Sequence, residues 1–200
     1  MKENKSKFEY PLILIFTFVL LAQETKSQWK TIQCSSFSLR SYGEDSTDKR
    51  NYLELIDGTK VYGQEISWQR GLGKNEVKID DKRYDFKDVR GYFKKGRVSL
   101  RIGNDFAIRF ILGKLSVYFL ETFQPSFERG SQTRMVCDIY VQGKSGLDRV
   151  VDKEDIMDWV KDCPKSAAMI NKTNKEIKEA IRKNNDYLNQ IFIIYNNDCR

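Results

Sequence analysis

The apolar residues between about 49 and 150 recur with a period of two, the spacing of β-strands that bury one face. Residues 97–102, 105–112 and 115–123 alternate most clearly between apolar and polar side chains. Gly103-Asn104 and Gly113-Lys114 lie between these segments as short turns. The pattern predicts consecutive antiparallel pairing, with one face of the sheet buried.

Weaker alternation extends this meander on both sides. Asp57-Gly58 separates two alternating runs, and both residue types tolerate the left-handed backbone of a tight hairpin turn. Residues 133–141, TRMVCDIYV, supply a further strand after a longer loop. We therefore expect about eight strands, curled into a roll or barrel-like sheet. Ile111, Tyr118 and Leu120 also make its outer face apolar, so we expect another element to cover them.

After residue 150 the spacing of apolar residues becomes helical. Asp152 is a good helix N-cap, apolar residues follow at intervals of three and four, and Pro164 ends the segment. A second helical tract covers about 165–197, with Thr173 and Glu176 as a capping box. The predicted fold class is α+β: an antiparallel meander over 49–150, with two to three C-terminal helices of 151–200 packed on it.

An apolar stripe at heptad spacing runs along the second helical tract. Its members are Ile170, Ile177, Ile181, Asn184, Leu188, Ile191 and Tyr195. We expect the stripe to dock on the protein's own sheet and to cover the apolar outer face. The alternative is a homodimer through the 170–195 helix, in which Asn184 would fix the register of a coiled-coil pair.

The N-terminal residues resemble an export signal. Three lysines precede an apolar run at residues 11–22, and small and polar residues follow it up to Ser27. As a helix this run reaches only about 18 Å, against roughly 30 Å of bilayer hydrocarbon. We predict a cleaved signal peptide at 1–27, with Ala22 as a second cut site, and one secreted or periplasmic domain at 28–200. The alternative is an uncleaved short anchor.

Composition restricts the chemistry of the chain. Histidine is absent, which removes the commonest general base and the commonest transition-metal ligand. The net charge is +7 and falls to about +6 without residues 1–27. For an exported protein this charge favours an anionic surface, such as lipid head groups or acidic polysaccharide, over nucleic acid. A solvated surface without a partner is the simpler explanation.

The sequence contains no recognised catalytic, cofactor-binding or metal-binding motif. The acidic residues of 152–162 lack the spacing of a calcium loop and are interpreted as a solvated helix face. A weak anionic-surface patch is predicted from a basic run in the second helical tract. It consists of Lys172, Lys175, Lys178, Arg182 and Lys183.

Four cysteines in an exported chain suggest two disulfides. A straight helix over about 174–197 would be roughly 35 Å long, so Cys163 and Cys199 at its two ends should not meet. A helix folded back on its own strand would bring Cys137 to the level of Cys163. We therefore predict Cys137–Cys163 and Cys34–Cys199, with Cys137 as a core thiol as the alternative.

Three short motifs resemble a loose group of uncharacterised secreted bacterial proteins. The first is the hairpin with Asp57, Gly58, Lys60 and Gly63. The others are a strand pair with Asp81, Lys82 and Tyr84, and a helix end with Asp162, Cys163 and Pro164. The resemblance covers roughly 51–170. It implies a β-meander followed by a helical tail, and it implies no activity.

These observations predict an exported, noncatalytic binding or envelope-associated module without a cofactor. Its partner would be an unknown protein or envelope component. The main alternative is a carrier of a lipid or small hydrophobic ligand inside a barrel-like sheet. A third hypothesis is a histidine-free hydrolase that uses paired carboxylates.

Overall fold

The computed structural model describes residues 50–69, 75–125 and 133–199. The predicted signal peptide and Cys34 lie outside these ranges. Within them the fold is α+β, as the sequence predicts, with an antiparallel sheet of eight strands, a second sheet of three strands and four C-terminal helices.

The strands follow one another with short connections. Their bounds are β1 Tyr52–Leu55, β2 Lys60–Tyr62, β3 Ile66–Gln69, β4 Glu76–Ile79, β5 Lys82–Asp85, β6 Val89–Lys94, β7 Arg97–Ile102, β8 Asp105–Ile111, β9 Ser116–Pro125, β10 Thr133–Gly143 and β11 Gly146–Val150. The predicted Asp57-Gly58 turn joins β1 and β2. Gly58 has a φ of 85°, which glycine adopts without steric cost.

The large sheet has the order β11-β10-β9-β8-β7-β6-β1-β2, and the small sheet has the order β3-β4-β5. The predicted meander from β6 to β11 is confirmed, since each of these strands pairs with the next. The large sheet is not closed into a barrel. In the described part of the chain, its two end strands are β11 and β2.

The chain leaves the large sheet after β2, so the alternating run that follows the Asp57-Gly58 turn is divided between β2 and β3. The carboxylate of Asp80 accepts hydrogen bonds from the backbone N–H groups of Gln64 and Glu65, at 3.0 and 2.9 Å. Gly63 lies against this contact: a β-carbon there would stand 2.5 Å from Asp80 Oδ2 and from Ile79 Cγ1. The contact redirects the chain into the small sheet.

We expect Gly63→Ala to lower the free energy of unfolding by about 1–3 kcal/mol, because the added methyl group overpacks this junction. Gly58→Ala is a useful comparison, since its methyl group would meet no atom within 4 Å and only the positive φ would be strained. Urea unfolding followed by circular dichroism measures both. Equal stability of Gly63→Ala and the wild type would contradict the packing.

Four helices follow the sheet: α1 Lys153–Val160, α2 Pro164–Ile170, α3 Asn174–Lys183 and α4 Tyr187–Asp198. The predicted N-caps are confirmed. Asp152 caps α1 in a reciprocal contact with Asp155, and Thr173 caps α3 in the same way with Glu176. The predicted continuous helix over 174–197 is wrong, since α3 ends at Asn184 and α4 starts again at Tyr187.

The helices pack on one face of the large sheet, which we call the inner face. Phe119 and Ile139 are register partners on this face, and both belong to one core cluster with buried residues of all four helices. Among the helix residues, Ile177, Leu188 and Ile191 are fully buried there. The predicted docking of the apolar stripe on the protein's own sheet is confirmed. The prediction that it covers Tyr118 and Leu120 is wrong, because these residues belong to a separate cluster that contains no helix residue.

The predicted cysteine pairing is also wrong. Cys163 and Cys199 form a disulfide, with their Cα atoms 5.5 Å apart. The break between α3 and α4 explains the error, since α4 turns back and brings its end beside the start of α2. Lys165 at that start lies 2.8 Å from the carboxylate of Asp198. Cys137 is instead buried in the core between the sheet and the helices.

Candidate functional site

The face of the large sheet opposite the helices, which we call the outer face, carries an apolar cluster of its own. We call this the outer cluster: it comprises Ala107, Tyr118 and Leu120, with the partly buried Leu100, Ile102, Tyr140 and Leu147 packed against them. Every member lies on a strand of the large sheet, and Ile102 and Leu147 lie near the hairpin ends of their strands. In the described ranges, the cluster includes no residue of the helices or of the small sheet.

Polar contacts surround the outer cluster. The Tyr118 hydroxyl donates a hydrogen bond to Gln142 Oε1 at 2.7 Å, and Arg149 pairs with Asp138. Burial raises the pKa of Tyr140, and the negative charge of Asp138 raises it further. Tyr140 is therefore a neutral phenol at physiological pH.

Aromatic and basic side chains meet at the β2 end of the same outer face. Tyr52 is the register partner of both Tyr62 and Phe93, so the three rings project to one side. The Tyr52 and Phe93 rings stack with centroids 5.4 Å apart, and the Tyr62 ring lies 5.8 Å from Tyr52. The Arg50 guanidinium lies 4.2 Å from the centre of the Tyr62 ring, and Lys60 Nζ lies 4.4 Å from that of Tyr52. We call these five residues the basic–aromatic end.

Two nearby carboxylates are engaged with other groups. Glu54, the cross-strand neighbour of Lys60, pairs with Arg90 at 3.1 Å. Asp80 accepts backbone hydrogen bonds from the β2–β3 connection. The β6–β7 turn adds the exposed Lys95, whose backbone N–H donates to Asn51 Oδ1 at 3.1 Å. Three basic side chains, those of Arg50, Lys60 and Lys95, therefore lie at this end of the sheet.

The sequence did not single out the basic–aromatic end. Local spacing points to a different register, because a two-residue hairpin at Asp57-Gly58 would place Tyr52 opposite Gly63, whereas the structure pairs Tyr52 with Tyr62. The cations are separated in sequence from the rings that they contact. A search for runs of lysine and arginine therefore passes over them.

The predicted basic patch lies on and just before α3. Lys175, Arg182 and Lys183 are exposed, whereas Lys172 lies over the Tyr187 ring at 5.2 Å. The remaining member, Lys178, is partly buried. The residues of the predicted patch therefore lie in two different environments, the solvent-exposed side of α3 and the contact with α4.

Negative charge lies among these cations. Glu176 sits in the first turn of α3, where hydrogen bonds from the Thr173 hydroxyl and backbone N–H hold the pKa of its carboxyl below the usual value of 4.5. It is therefore ionised at neutral pH, and it reduces the positive field of the patch.

The predicted acidic helix face is used in structural contacts. The Asp155 carboxylate accepts the backbone N–H groups of Val151 and Asp152, at 2.6 and 3.2 Å. Asp162 accepts a hydrogen bond from the Tyr195 hydroxyl at 3.0 Å. Burial raises the pKa of Tyr195, and this hydrogen bond raises it further.

An open concavity of about 460 Å³ lies on the small sheet, lined by Asn75, Glu76, Arg83, Tyr84 and Asp85. The charged side chains at this concavity largely neutralise one another. Glu76 lies 3.4 Å from Lys78 Nζ and 3.6 Å from an Arg83 nitrogen. The Lys87 N–H lowers the pKa of Asp85, which is therefore a fixed anion near neutral pH.

Residues of the described ranges form no group of three or more potential metal ligands. None of the helices described is both long and apolar enough to cross a membrane. Comparison with family models, with curated proteins and with solved structures finds no match to the chain.

Proposed function

We propose that the protein is an exported, noncatalytic binding module that attaches to an anionic component of the cell envelope. The observation that carries this proposal is the pair of cations held over tyrosine rings at the basic–aromatic end. A cation held on a ring loses less side-chain entropy on binding an anion than a mobile surface lysine does.

The geometry favours this end of the sheet over the predicted patch on α3. At the basic–aromatic end, Glu54 is already paired with Arg90, and aromatic surface lies directly beside the cations. On α3, Glu176 and Glu179 are interspersed among the lysines. The carrier alternative was based on a barrel-like sheet, and this argument does not hold because the large sheet is not closed into a barrel.

The test compares three double variants that each remove two positive charges. Arg50→Gln with Lys60→Gln alters the basic–aromatic end, Lys175→Gln with Arg182→Gln alters α3, and Lys82→Gln with Lys144→Gln is the control at exposed positions elsewhere. Binding is measured to anionic phospholipid vesicles and, separately, to an acidic polysaccharide, which distinguishes the two sources of anionic charge.

We expect the variant at the basic–aromatic end to bind about 30-fold more weakly, since each cation near an anionic surface contributes roughly 1 kcal/mol. The control should change far less, and binding should weaken with added salt. An equal loss in all three variants would indicate net charge alone. A loss only in the α3 variant would overturn the assignment of the site.

A further inference from the structure

The outer cluster is a second apolar surface of the large sheet, and it is well shielded. Ala107 is 0 % exposed, Tyr118 is 4 % exposed and Leu120 is 7 % exposed. The strands alone do not explain this, because side chains on a sheet face without a covering layer normally remain in contact with water. From this we infer that residues 28–49 of the same chain cover the outer cluster.

The point at which the described chain begins supports this occupant. Arg50, the first described residue, lies over Tyr62, and Tyr62 projects from the outer face, so the described chain begins beside that face. Between β1 and β9 there are four strand intervals, or about 19 Å. An extended segment of 22 residues reaches about 70 Å, so it can cross the cluster and return.

The composition of the segment also fits the surface. Residues 28–49 contain five large apolar side chains, Trp29, Ile32, Phe37, Leu39 and Tyr42. Phe37 and Leu39 alternate with Ser36, Ser38 and Arg40, which would place the two apolar groups on one side of an extended chain. Such a segment can present its apolar side to the sheet and its polar side to water.

Tethering favours this occupant over a second copy of the chain. A segment joined to β1 meets the outer cluster at an effective concentration in the millimolar range. A second copy must compete at its free concentration, which is far lower in a dilute solution. The tethered segment is therefore favoured as the occupant of the outer cluster.

Photo-crosslinking in the purified mature protein tests this inference. p-Benzoylphenylalanine in place of Tyr140, a partly buried member of the outer cluster, should crosslink to a peptide within 28–49 of the same molecule. The same group in place of Trp68, an aromatic residue on β3 that is 41 % exposed, is the matched control and should not reach that peptide.

The crosslinking results distinguish residues 28–49 from a second copy of the chain as the occupant of the outer cluster. A crosslink to a second copy that grows with protein concentration would overturn the inference, and so would an absence of crosslinks to 28–49. As an independent check, Phe37→Asp with Leu39→Asp should at least double the fluorescence of a dye that binds exposed apolar surface. Unchanged dye fluorescence in this folded variant would also count against the inference.

Discussion

Replacing Cys163 and Cys199 together by alanine is expected to lower the free energy of unfolding by about 4 kcal/mol. The bridge joins residues 36 positions apart. In the entropic description, closing a loop of this length lowers the conformational entropy of the unfolded chain, which accounts for a loss of about 4 kcal/mol when the bridge is removed. Equilibrium unfolding in urea measures the difference between the variant and the oxidised wild type.

Two controls make this result specific. The wild type in the presence of a reductant should lose a similar amount of stability, whereas the double variant should respond much less to the same reductant. Peptide mapping without a reductant should recover a fragment that joins Cys163 to Cys199. A fragment that joins Cys137 to Cys163 would restore the pairing predicted from sequence and refute the observed one.

Ile191→Ala should destabilise the protein by about 2–5 kcal/mol, because it removes apolar atoms and leaves a cavity in a packed core. Ile191, on α4, is fully buried in the core cluster between the helices and the inner face, and its carbonyl oxygen accepts a hydrogen bond from the buried Ser166 hydroxyl at 2.8 Å. The substitution therefore loosens the contact that positions α4. The midpoint of urea unfolding measures the loss.

Ile56→Ala is the matched control, since the same atoms are removed from a side chain that is 59 % exposed. The change in stability should stay within about 0.5 kcal/mol. Equal effects at positions 56 and 191 would show that the helices do not form a fixed layer on the sheet.

The sequence was sufficient for those parts of the fold that depend on local pattern. Alternation such as Val98, Leu100 and Ile102 indicated the strands, and glycine with asparagine or lysine indicated their turns. The capping residues Asp152 and Thr173 were identified because a cap needs only residues within one helical turn.

Other features depended on contacts between distant residues. Nothing local showed that the run after Asp57-Gly58 divides between two sheets, since this depends on the Asp80 carboxylate reaching residues 64 and 65. Heptad spacing suggested one long helix, although Asn184 and Asp186 are typical residues of a helix end and restart. Because the cysteine pairing was argued from one long helix, this error also made the predicted pairing wrong.

The candidate site illustrates the same distinction. The basic patch on and just before α3 was found because its residues lie close together in the sequence. The basic–aromatic end was not found, because Phe93 joins Tyr52 only through the pairing of β1 with β6. Register between strands so far apart is set by the whole sheet, and local spacing does not reveal it.

The pairing of β1 with β6 also affects how the chain must be assembled. When synthesis proceeds from the N-terminus, the hairpin of β1 and β2 is made before β6, which is complete only after about 30 further residues, or about 2–6 s at ordinary elongation rates. An isolated two-stranded hairpin is marginally stable in water, and its open edge can pair with foreign strands. The edge of this hairpin that later pairs with β6 therefore stays open to foreign strands until β6 has been made.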